Sequence, residues 1–130
     1  MTLEELEQFI ESQGVAITYK PNMRVPASYN HQLNRITLSA CLQSMPRNAV
    51  STLAHEYAHH LLGHDGPQTQ TEEDRADRLA ARLLISPTEY ARAEKIHDGH
   101  IPAIADELGV TCWIVKAYQQ CLKAHYDDVS

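Results

Sequence analysis

Apolar residues near the start of the chain recur at helical spacing. Leu3, Leu6, Phe9 and Ile10 share one face, and Thr2-Leu3-Glu4-Glu5 has the spacing of a capping box. Gly14 ends that helix. Val15-Ala16-Ile17-Thr18-Tyr19 alternates, is rich in β-branched residues, and predicts a strand closed by Pro21-Asn22. Ala27-Ser28-Tyr29 and Arg35-Ile36-Thr37-Leu38 predict two more strands around the polar turn His31-Gln32-Leu33-Asn34. The expected result is a small antiparallel sheet of about three strands within residues 15–40.

Helical spacing takes over from Ser44-Met45-Pro46. Val50, Leu53, Ala54, Tyr57 and Leu61 form one stripe, and Gly63 with Asp65-Gly66-Pro67 closes it. Thr71-Glu72-Glu73-Asp74 opens the next helix, whose apolar face is Ala76, Leu79, Ala80, Leu83 and Leu84. Ser86-Pro87-Thr88-Glu89 reads as another capping box, starting a helix that frays near Asp98-Gly99. Ile101 to Leu108, Gly109, and Thr111 to about His125 read as helix, turn, helix. There is no internal repeat and no long linker. The expected architecture is α+β, a single domain over 1–130, with a small sheet packed on a helical core.

Composition narrows the function classes. The chain has 130 residues, 43% hydrophobic and 22% charged, which excludes disordered and low-complexity classes. Eleven Lys and Arg against seventeen Asp and Glu leave a net charge of −6, which disfavours general nucleic-acid binding. Apolar runs are far shorter than the roughly 20 residues of a membrane span. The acidic start, Met1 to Glu7, is unlike a secretory signal. Three cysteines, Cys41, Cys112 and Cys121, suggest no disulfide framework, so a cytoplasmic location is expected. Cys112 and Cys121 read as small buried hydrophobes, and Trp113 and Tyr118 as core or interface residues.

Eight histidines stand out, four of them between 55 and 64. His55-Glu56-Tyr57-Ala58-His59 is H-E-x-x-H within a predicted helix. Two imidazoles four residues apart lie one turn above each other and can reach one ion, with Glu56 placed to act as general base on a water. A catalytic zinc needs a third protein ligand. His64 and Asp65 in the following loop are candidates, but the extended motif needs glycine at 62, where this chain has Leu62 and then Gly63. His60 projects about 100° away from His59. Glu73 on the next helix is the better candidate. Asp77, four residues on, is placed to accept the second nitrogen proton of a ligating histidine.

The stretch Leu53 to His64, with its H-E-x-x-H, and the stretch Glu73-Asp74-Arg75-Ala76-Asp77 through Pro87 together resemble the ImmA/IrrE-type metallopeptidases of bacteria, phages and mobile elements. Ile104-Ala105-Asp106-Glu107-Leu108-Gly109-Val110-Thr111 resembles the closing helical segment of that family. The resemblance spans roughly residues 35 to 122. Leu79 stands where the family usually has phenylalanine, and Ile85-Ser86-Pro87 replaces a tighter Met-Pro ending. Neither departure touches a candidate ligand. The resemblance implies one zinc held by His55, His59 and Glu73, Glu56 as base, and Asp77 as the partner of a ligating imidazole. It also implies a protein substrate, typically a transcriptional repressor encoded nearby, and a minimal catalytic core.

Two other readings compete. Ile101 to Tyr118 has the layout of a helix-turn-helix module, although the would-be recognition helix from Thr111 to Gln120 carries one lysine and no arginine. A catalytically latent metal-binding module is the other. Two histidines and a carboxylate with open positions also suit iron or manganese. The oxyanion stabiliser is not identifiable, and Tyr90, His97 and His100 read as surface or core-edge residues.

Overall fold

The computed structural model describes the backbone of residues 1–129 and the side chains of residues 1–124. Helix α1, Leu3–Ser12, begins with the expected capping box, in which Thr2 accepts from the Glu5 N–H and Glu5 accepts in return. Leu6 and Ile10 are buried, whereas Phe9 is turned outward with its ring edge against Tyr57. Strands β1 (Ala16–Lys20), β2 (Ala27–Asn30) and β3 (Arg35–Ser39) follow, then a short 3-10 turn over Ala40–Ser44.

The α+β class is as expected, but the sheet is mixed, not antiparallel. Its order is β1-β3-β2, with β1 parallel to β3 and β2 antiparallel to β3. Residues 21–26 carry the chain across the end of the sheet to its opposite edge. The hairpin at residues 31–34 then returns β3 between the two, running the same way as β1. Alternation in sequence fixes which face of a strand is buried and carries no direction, so the pattern alone did not separate these pairings. Ile36 and Leu38 of β3 are fully buried, and β2 is left as an edge strand beside helix α2.

Helix α2, Pro46–Leu61, has Pro46 in its first turn and buries Val50, Leu53, Ala54 and Tyr57; Leu61 faces outward. Helix α3, Gln70–Leu84, starts earlier than expected. Its N-cap is Thr69, paired with Glu72 in a capping box, which leaves Thr71 inside the helix. Ala76, Ala80 and Ala81 are fully buried. These small residues let α3 lie close against α2 and α6, and so hold Glu73 and Asp77 near the histidines. Helices α4 (Pro87–Ile96), α5 (Ile101–Leu108) and α6 (Cys112–Val129) complete the fold. Ser86 caps α4 by accepting from the Glu89 N–H, and Gly109 ends α5 in the left-handed region.

The α5–α6 pair has the order expected of a helix-turn-helix, yet Ile104, Ala105, Ile114, Val115, Ala117 and Tyr118 all face the core. The Thr111 N–H donates to Ser51 Oγ at 3.1 Å, tying the start of α6 to the middle of α2. The other face of α6, with Cys112, Trp113, Lys116 and Gln120, is exposed and over residues 112–120 carries a single lysine. Cys112 is exposed and Cys121 half-buried, which corrects the expectation that both are core residues. Every element contributes to one apolar cluster. No helix among the described residues is long and apolar enough to cross a membrane.

Candidate metal centre

Helix α2 presents His55 and His59 one turn apart toward α3, which presents Glu73 and Asp77 one turn apart in return. His55 Nε2 lies 3.1 Å from His59 Nε2 and 2.9 Å from Glu73 Oε2. His59 Nε2 lies 3.3 Å from Glu73 Oε1. Donor atoms of these three residues fall within 4.8 Å of one another, so His55, His59 and Glu73 could together hold a metal ion.

The donor set fits such an ion in chemistry and in spacing. A tetrahedral zinc with bonds of about 2.0–2.1 Å sets its ligands about 3.3 Å apart. The separations here, 2.9 to 3.3 Å, sit at or just inside that edge. Two ring nitrogens turned toward each other and toward a carboxylate form a focus that calls for a cation.

Behind the focus, His55 Nδ1 lies 2.7 Å from Asp77 Oδ1, a contact short in distance but poorly aligned in angle. Burial alone would push the His55 imidazolium down; Asp77 foremost, then Glu56 and Glu73, outweigh it and raise the imidazole above its ordinary value. His59 is lowered, chiefly by burial and then by the charge of His55, against the pull of Glu73. A neutral His59 is the form that ligates.

Glu56 opens onto the space in front of these residues. Its carboxyl is raised by burial, with His55 pulling it down and Glu73 pushing it up. Among the described residues it accepts no hydrogen bond from a protein group. It lines a cleft of about 380 Å³ with Pro26, Ala27, Thr52, His55, Asp77 and Trp113. On its other side a second cleft of about 260 Å³ includes Tyr29, His59, His64 and Glu73. Edge strand β2 contributes to both.

Of the other third-ligand candidates, Asp65 is exposed and no part of the triad. His64 is buried behind His59, Nδ1 to Nδ1 at 2.9 Å, on the side away from the focus. His60 is turned aside, its Nδ1 2.9 Å from the Tyr29 hydroxyl, where it fastens β2 to α2. Tyr90 is buried at the first turn of α4 and accepts from Gln119, outside the site. Trp113, expected as a core or interface residue, is the neighbour of the site that sequence reasoning missed. It is 39% exposed, and its ring meets His55 edge to face with centroids 6.0 Å apart. No local signal marks it, because fifty-eight positions separate the two. A signal did exist for His64: glycine directly after a helix predicts a left-handed cap that folds the next residue back over the last turn.

A histidine pair and a glutamate on facing helices, with an unbonded glutamate at the mouth, define a metallopeptidase-type centre. The Peptidase_M78 family, described as the IrrE N-terminal-like domain, matches residues 10–117, and the chain belongs to that family. No curated protein matches the chain at a significant level.

Proposed function

We propose that the protein is a zinc-dependent endopeptidase acting on a protein substrate, of which a transcriptional repressor is the expected kind. The observation that carries the reading is the convergence of His55, His59 and Glu73 beside the unbonded carboxylate of Glu56.

When bound, zinc supplies Lewis acidity, lowering the pKa of water and polarising a carbonyl. His55 and His59 would hold it through Nε2, and Glu73 through its carboxylate. Asp77 Oδ1, 2.7 Å from His55 Nδ1, is placed to accept that nitrogen's proton and fix the ring. Glu56, raised by burial, takes a proton from the attacking water and delivers it to the leaving amine. Ala27 of edge strand β2 lines both clefts around Glu56, and Ser28 and Tyr29 line the second, an arrangement that suits an extended peptide laid along the strand. Trp113 meets the His55 ring edge to face and forms a wall of the first cleft.

The test compares the zinc-loaded protein with its Glu56→Gln variant on a proteome-derived peptide library and on purified transcriptional repressors. The parent cleaves. The variant keeps its zinc and loses about 10²–10⁴-fold in rate, the usual worth of a positioned general base. A variant that cleaves like the parent overturns the role of Glu56.

A further inference from the structure

Helix α2 ends in a Schellman motif. The His64 N–H donates to the His59 carbonyl at 3.0 Å and the Gly63 N–H to the His60 carbonyl at 3.1 Å, with Gly63 in the left-handed region at φ 71°. In this motif the residue just past the glycine ordinarily makes an apolar contact with the residue five before it. Here those two positions are His64 and His59, and the contact is polar. Their Nδ1 atoms lie 2.9 Å apart, with the residues only 9% and 5% exposed. The other ring nitrogen of His64 lies 3.7 Å from Glu72 Oε2. The second Glu72 oxygen accepts from Thr69 N–H and Oγ at the start of α3.

Two nitrogens at hydrogen-bond distance share one proton, which leaves two arrangements. If His64 donates, His59 carries its own proton on Nε2, where it points into the triad and blocks a metal. If His59 donates, His64 carries its proton on Nε2, facing the Glu72 carboxylate, and His59 Nε2 presents a lone pair. Glu72 stabilises only the second arrangement. Each histidine of the pair thus has its own partner behind it, Asp77 for His55 and His64 for His59, and both partners trace back to α3.

We propose that His64 is a positioning residue of the metal centre: it accepts the Nδ1 proton of His59 and holds that ring in the metal-binding tautomer. The proposal rests on the metal reading above. It assigns His64 to the back of a ligand, where the sequence had offered it as a ligand itself.

The test measures zinc affinity by competition with a chromophoric chelator for the parent, His64→Leu and His64→Asn, alongside thermal unfolding of each metal-free protein. Leucine restores the ordinary apolar contact of the motif, so His64→Leu keeps or gains thermal stability while binding zinc about 10–100-fold more weakly, the usual cost of losing a ligand's outer partner. Asn places its Oδ1 where His64 has Nδ1 and can accept the same proton, so His64→Asn recovers most of the affinity. Zinc binding by His64→Leu equal to the parent, or an equal loss in both variants, overturns the proposal. A parent that binds no zinc is a different failure, that of the metal reading itself.

Discussion

Asp77 stands 2.7 Å behind His55, and Glu73 stands 2.9 Å in front of it, one turn apart on the same helix. Helix α3 therefore grips His55 from both sides, and a shift of α3 would disturb ligand and partner together. Asp77→Ala is expected to weaken zinc binding about 10–100-fold. Asp77→Asn, which keeps an acceptor and loses the charge, should fall between the parent and Asp77→Ala in a chelator competition.

Trp113 is the one tryptophan of the chain and lies against His55. Zinc added to the metal-free protein is expected to change its fluorescence, and a chelator to reverse the change. Titration against protein concentration gives the stoichiometry directly. Zinc uptake seen by mass with an unaltered emission would place the ring away from the site.

Gly63 supplies the left-handed turn at the end of α2, and nothing lies within 4 Å of where a Cβ would sit. Gly63→Ala therefore meets no clash, and its cost is backbone strain of about 1–2 kcal/mol. Thermal unfolding should show that loss. A larger effect on zinc affinity than on stability is expected, because His64 depends on this turn for its place behind His59.

Leu53 is fully buried in the middle of α2, within the apolar cluster. Leu53→Ala should cost about 2–5 kcal/mol by transfer and cavity terms together, read from denaturant midpoints.

Much of this was legible in the primary structure because it is local. Residues four apart on a helix share a face, so His55 with His59 and Glu73 with Asp77 announced themselves before any tertiary contact was known. The capping boxes at Thr2 and Ser44 to Pro46 as a helix start were equally local. The start of α3 was misread because Thr71 opens an acidic run, while the functional cap, Thr69 with Glu72, has the correct three-residue spacing two positions earlier. The parallel pairing of β1 with β3 and the approach of Trp113 to His55 depend on how distant segments meet, and neither leaves a periodic trace.

Stability should also fall at alkaline pH. The Tyr19 hydroxyl donates to Glu7 Oε2 at 2.7 Å, and burial, then that bond, raise its pKa above the ordinary value of 10.0. The folded state thus holds the proton more tightly than the unfolded chain. The stabilisation is fully present below about pH 10 and is lost as pH rises beyond it. Tyr19→Phe is expected to show a shallower fall in stability across that range, measured by denaturant midpoints at successive pH values.

The central claim is a metal held by His55, His59 and Glu73. Native mass spectrometry of the parent beside Glu73→Ala, after incubation with zinc and exchange into metal-free buffer, tests it most directly. One zinc per parent chain, with retention weakened in the variant, is the predicted result. A parent that retains no zinc, or a variant that retains it equally well, contradicts the three-residue centre.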